Sequence, residues 1–173
     1  MWSQINYSIL VLAIIGAGGI FTGSNPAYTP HELAHHMKAS QSKFLFSEPE
    51  ILESLVRAAR QAGIPQEKIW IFDNLGQSIP NEMRSWKCLF DSGEEDWVRF
   101  NDLKTAQETT AARLFSSGTT GLPKAVAITH YNLIAQHEVV YGVNPRPYPV
   151  SSFSGLALDL ALAYENFEPQ LTN

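Results

Sequence analysis

The spacing of apolar residues changes along the chain, and each change marks a predicted element. Residues 9–21 (ILVLAIIGAGGIF) are an almost unbroken apolar run, which predicts a buried helix leading into a buried strand. A membrane-spanning helix takes about 20 apolar residues, so this run is too short to cross a bilayer. Residues 1–8 carry no Lys or Arg to mark a secretory leader. Thr29-Pro30-His31-Glu32 predicts a helix start, with Thr29 as N-cap, Pro30 at the first helical position and Glu32 closing a capping box. Leu33 and Met37 then share one face, and Phe44-Leu45-Phe46 has the length of a strand. Ser47 and Glu50 repeat the capping spacing. The helix they open carries Ile51, Leu52, Leu55, Val56 and Ala59 on one side and stops at Gly63-Ile64-Pro65. Ile69-Trp70-Ile71-Phe72 follows as a buried strand. Strands and helices alternating at this spacing predict crossover units, hence an α/β fold with helices around a mostly parallel sheet.

From Asp73 to Thr110 the periodicity dissolves. Asn74, Gly76, Pro80, Asn81 and Gly93 interrupt isolated aromatics (Trp86, Phe90, Trp97, Phe100), which predicts a long surface connection with a short helix near 81–89. Connections of that length inside compact domains are usually functional or mobile. An apolar strand then reaches Ser116, a second strand covers Ala125-Val126-Ala127-Ile128, and Thr129 caps a helix from His130 to about Tyr141.

Composition narrows the function classes. With 45% hydrophobic and 17% charged residues the chain has the material for a folded core, and its length suggests one domain. Twelve Lys and Arg against 17 Asp and Glu give a net charge of −5, with no basic run, which argues against nucleic acid as a partner. A single cysteine, Cys88, can form neither an internal disulfide nor a thiolate metal cluster. That fits a reducing compartment, with the cytoplasm as the expected location.

One stretch carries chemistry: Ser116-Ser117-Gly118-Thr119-Thr120-Gly121-Leu122-Pro123-Lys124. Gly118 and Gly121 let backbone N–H groups approach an anion, the four hydroxyls add donors, and Lys124 supplies a cation behind the rigid Pro123. That combination reads as a phosphate cradle. It is not a Walker A loop, in which the Lys directly follows Gly and opens a helix. Here the loop joins two strands as a hairpin. The alternative is an ordinary Ser/Thr/Gly-rich turn with Lys124 as a solvated side chain.

At these residues the sequence resembles the adenylate-forming (AMP-dependent synthetase/ligase) superfamily, and within it fungal 4-coumarate–CoA-ligase-like and acyl-CoA synthetases. SSGTTGLPK followed by a strand and THYNL looks like that superfamily's phosphate signature, and Asn25-Pro26-Ala27-Tyr28-Thr29-Pro30 supports it upstream. Arg113 departs from the pattern, since an apolar residue is more usual there. The resemblance implies ATP-dependent activation of a carboxylic acid followed by thioester formation with coenzyme A. ATP, Mg2+ and coenzyme A are the cofactors it implies. Ser116, Ser117, Gly118, Thr119, Thr120, Gly121 and Lys124 would hold the ATP phosphates, and no residue is assigned a catalytic or metal-ligating role. The resemblance covers residues 1–150, part of the superfamily's N-terminal domain, whereas residues 151–173 read as a tail foreign to the family. The adenine, ribose, acyl and CoA motifs that a full-length relative would carry are not found, so the chain is expected to be a fragment that is inactive alone. A full-length relative could instead be addressed to peroxisomes; the terminal Leu171-Thr172-Asn173 is not such an address.

Two other readings compete. His31-Glu32-Leu33-Ala34-His35 is a literal H-E-x-x-H, the pattern of a zinc hydrolase. Its plain explanation is Glu32 as a capping residue, with His35 and His36 at a solvated surface. The chain could also be a non-catalytic, ligase-derived interaction module that pairs through an open sheet edge. Gly16-x-Gly18 lacks the last glycine of a dinucleotide fingerprint and is better explained by close packing. His130 and His137 follow the loop closely enough that one could approach a nucleotide, but both are expected at a polar surface, and Cys88, with no base in view, is assigned no nucleophilic role.

Overall fold

The computed structural model describes residues 5–80, 82–116 and 123–143. Residues 151–173 lie outside them. Instead of the single domain suggested by length, the chain divides into two compact units. One comprises residues 1–21, 98–111 and 128–173, and the other residues 22–97 and 112–127.

The unit starting at Thr22 holds the parallel sheet. Strands β1 (Leu45–Ser47), β2 (Ile69–Ile71) and β3 (Arg84–Ser85) lie in the order β1-β2-β3, all parallel, with Leu45 opposite Ile69 and Ile71 opposite Ser85. Side chains alternate across a strand, so Leu45, Ile69 and Ile71 share a face. That face is buried against helices α2 (Pro30–Ser40) and α3 (Leu52–Ala62), which supply Leu33, Ala34, Met37, Leu52, Leu55, Ala58 and Ala59 to one core. On the other face Phe46 stacks on Trp70, at 5.7 Å between centroids, and Arg84 lies 5.0 Å from the Trp70 ring centre.

The N-terminus of α2 is capped as its sequence predicts. Thr29 Oγ1 accepts from the Glu32 N–H, while the Glu32 carboxylate accepts from the Thr29 N–H at 2.8 Å. α3 ends at Gly63, whose φ of 76° is left-handed and favours glycine. The second expected capping box does not form. Ser47 is already part of β1, paired with Ile71 and buried, and its hydroxyl donates to the Glu48 carbonyl. Pro49 instead opens a single 3-10 turn, Pro49–Ile51, ahead of α3.

The irregular region holds more than its sequence suggests. β3 is only two residues long and a 3-10 segment (Trp86–Ser92) stands where a short helix was predicted. The buried Asp73 fastens this segment by accepting from Ser85 Oγ (2.6 Å) and Lys87 Nζ (2.8 Å). Burial on its own would raise the Asp73 carboxyl, but these hydrogen bonds and the Lys87 charge outweigh it and hold the group below the usual carboxylate range.

In the other unit, α1 (Ile5–Gly16) buries Leu10 and Val11 but leaves Ile9 44% exposed, so the apolar run is only partly core. The strand predicted after it reduces to one bridge, Phe21 N–H to the Ala111 carbonyl at 3.0 Å. Gly18, at φ 76°, turns the chain before a strand can start, and a Cβ on it would sit 3.3 Å from Val98. A short helix, α4 (Leu103–Glu108), is capped by Asp102, whose carboxylate accepts from the Thr105 N–H. α5 (His130–His137) carries the Thr129–Asn132 capping box and continues as a π-type turn over Glu138–Val143. Strands β4 (Thr110–Ser116) and β5 (Lys124–Thr129), which lie mostly in the unit starting at Thr22, pair in a separate two-stranded sheet. Among the described residues no helix is long and apolar enough to cross a membrane.

Candidate functional site

β4 and β5 fix the two ends of the Ser/Thr/Gly loop. Ser116 is the last residue of β4 and half-buried; Lys124 is the first of β5 and exposed. Ser117, Gly118, Thr119, Thr120 and Gly121 lie outside the described residues. Lys124 forms no salt bridge among the described residues.

The strand that enters the loop is held by a set of side chains that sequence reasoning missed. Thr22 Oγ1 donates to the Arg113 carbonyl at 2.7 Å and lies 3.3 Å from Nε2 of His36. A hydroxyl has one hydrogen, and that one goes to Arg113, so the His36 ring must donate from Nε2. The His36 ring also packs on Phe115, with centroids 3.9 Å apart. The Arg113 guanidinium reaches the carbonyl of Ser40 and, at 3.1 Å, the Oε1 of Gln41, at the C-terminal end of α2 where a cation is favoured. Arg113 thus departs from an apolar pattern because its partners are the last carbonyl of a helix and the side-chain oxygen of the residue that caps it.

His36 is not at a solvated surface. It is 4% exposed, on the same side of α2 as the buried Leu33, Met37 and Ser40. Burial pushes its pKa down to about 4, with His35 adding to the effect and the Gly23 backbone offsetting part of it. The ring is therefore neutral near pH 7.

The H-E-x-x-H segment is differently engaged. Both the backbone N–H and the hydroxyl of Thr29 donate to the Glu32 carboxylate at 2.8 Å, and these bonds hold its pKa below the ordinary value. His31 is exposed and His35 half-buried. Among the described residues no group of three or more His, Cys, Asp or Glu side chains is placed to hold a metal ion. His130 is buried under Phe100, ring centroids 3.9 Å apart, and burial lowers its pKa. Cys88 is exposed.

The sequence pattern of the AMP-binding enzymes matches residues 1–166. The chain belongs to this family. The match runs past residue 150, where the sequence alone suggested a boundary. Among curated members of the AMP-binding family, a phenylacetyl-CoA ligase and an acyl-CoA ligase of Aspergillus niger are each 44% identical over 98% of this chain. The aligned part is 35% of the first enzyme and 36% of the second. The chain thus spans about a third of the length of the curated relatives it matches. A long-chain-fatty-acid–CoA ligase of Archaeoglobus fulgidus superposes on 80% of the chain with a TM-score of 0.63 at 27% identity, covering 26% of that enzyme. The parallel sheet flanked by helices is accordingly the architecture of an adenylate-forming enzyme, as the loop resemblance implied.

Proposed function

We propose that this chain is the phosphate-gripping part of an ATP-dependent carboxylic acid–CoA ligase. In this reading Ser116, Ser117, Gly118, Thr119, Thr120, Gly121 and Lys124 hold the β- and γ-phosphates of ATP. The observation that carries it is that β4 ends at Ser116 and its sheet partner β5 begins at Lys124, with the Ser/Thr/Gly run between them in the sequence and no salt bridge to Lys124 among the described residues. The donor set fits a polyphosphate: hydroxyls and one ammonium, with no cluster of carboxylates among the described residues to repel it or to cage a metal on its own. A magnesium ion would therefore arrive with the nucleotide.

The chemistry follows from where charge develops. When a carboxylate attacks the α-phosphate, negative charge grows on the departing pyrophosphate. Donors already aimed at that group lower the barrier because they need no reorganisation. The acid and coenzyme A would be bound by parts of a full-length ligase, so this chain is expected to bind ATP weakly and to form no acyl-adenylate alone.

Calorimetric titration with ATP tests the reading. The 173-residue chain should bind ATP, and Lys124→Ala should weaken binding about tenfold or more, as expected for removal of a charge-assisted contact. No binding by the unaltered chain, or equal binding by the variant, would refute it. Pyrophosphate release on adding ATP and phenylacetate, the acid named by the Aspergillus relative, would overturn the expectation of inactivity.

A further inference from the structure

We propose that His36 and Thr22 are positioning residues, which hold the end of β4, and with it the start of the phosphate loop, against helix α2. For its consequence on nucleotide affinity this rests on the reading above; the tether itself does not.

The chain of contacts is continuous. His36 Nε2 donates to Thr22 Oγ1 (3.3 Å), and Thr22 Oγ1 donates to the Arg113 carbonyl (2.7 Å). His36 also supports the next inward residue of β4 through its ring contact with Phe115. Two residues beyond Phe115 the loop motif begins its Ser-Gly-Thr-Thr run. Arg113 adds a second attachment at the far end of α2, through Ser40 and Gln41. β4 needs such support because the part approaching the loop is only half-buried and its partner β5 is exposed from Lys124 to Ala127. A loop that binds by preorganised donors gains from rigid roots, since any disorder there must be removed on binding. The tether needs a ring nitrogen that donates and an aromatic face at one position. Histidine provides both, and a neutral imidazole avoids placing a charge in the buried site.

The test is amide hydrogen exchange combined with ATP titration, both on the full chain at pH 7. His36→Ala should speed exchange at Leu114, Phe115 and Ser116 about five- to tenfold, while the amides of Ile69 and Ile71 in β2 keep their protection. ATP affinity should fall by a similar factor. His36→Gln, whose amide N–H can still donate to Thr22 although it lacks the aromatic face, should restore part of both, and more than His36→Leu, which fills the space without a donor; equal behaviour of the two would reduce His36 to a space-filling role. Thr22→Val removes the relay while keeping the side chain's shape and serves if His36→Ala fails to fold; it should reproduce the local loosening. Unchanged exchange at 114–116 in Thr22→Val, or a uniform rise across β2 and α3, would overturn the proposal. Local loosening in a chain that never binds ATP would leave the tether established and sink the phosphate-loop reading instead.

Discussion

Acid should destabilise this fold in part through a buried imidazole, that of His36. In the unfolded chain its imidazole titrates near the ordinary 6.5, whereas in the fold burial holds it to about 4. Between those values the unfolded chain binds more protons than the folded one, so stability rises with pH. The contribution is fully present above pH 6.5, falls as the pH drops from 6.5 toward 4, and levels off below. At 1.36 kcal/mol per pKa unit the full difference would be about 3 kcal/mol. Water reaching the ring as it charges offsets part of this, which leaves roughly 1–2 kcal/mol. Urea denaturation from pH 7 to 4, followed by tryptophan fluorescence, measures it, because Trp70 and Trp86 lie in the same unit as His36. The control is His36→Gln, which keeps the donor but cannot charge. It cancels the contributions of the other groups that titrate nearby, among them His130, Asp73 and Glu32. The variant should lose about 1–2 kcal/mol less than the unaltered chain over this range. Parallel curves for the two proteins would refute the assignment.

Two further substitutions test the packing. Ile71→Ala empties a fully buried site at the end of the central strand β2 and should cost about 2–5 kcal/mol in chemical denaturation; a loss under about 1 kcal/mol would mean that the core between sheet and helices is not formed as described. Gly63→Ala and Gly18→Ala place a methyl group at the same left-handed φ of 76°, but nothing lies within 4 Å of the first site whereas Val98 stands 3.3 Å from the second. Gly63→Ala should therefore cost about 1 kcal/mol of backbone strain and Gly18→Ala measurably more, and equal losses would remove the close approach as the reason for Gly18.

Local signals were legible and nonlocal ones were not. The capping box at Thr29 and Glu32 is read within four residues and forms as read. The same spacing at Ser47 and Glu50 fails because Ser47 is claimed first by a pairing with Ile71, a partner 24 positions away (71 − 47) that no local pattern reveals. β3 and α4 were missed for a related reason. A two-residue strand has no periodicity to detect, and α4 is a single capped turn and a half whose exposed Leu103 and buried Ala106 give no apolar stripe. The apolar run at the start misled in the opposite direction, since a glycine turn at Gly18 divides it.

The candidate site divides along the same line. The proposed phosphate-binding run, from Ser116 to Lys124, is contiguous in sequence, because a loop that would grip an anion with backbone and short side chains has to be local. What holds the strand before it is scattered: Thr22 and Arg113 stand 91 residues apart, and Arg113 and Ser40 stand 73 apart. Arg113 in an apolar strand and a second His beside His35 were the visible traces, each unexplained until the fold placed them on one another. A polar residue interrupting a predicted core strand is informative for this reason. Burying its charge without a partner would cost several kcal/mol, so such a residue implies acceptors somewhere else in the chain. Here those acceptors are the carbonyl and side-chain oxygens at the end of α2, and meeting them brings β4 to the helix that carries His36.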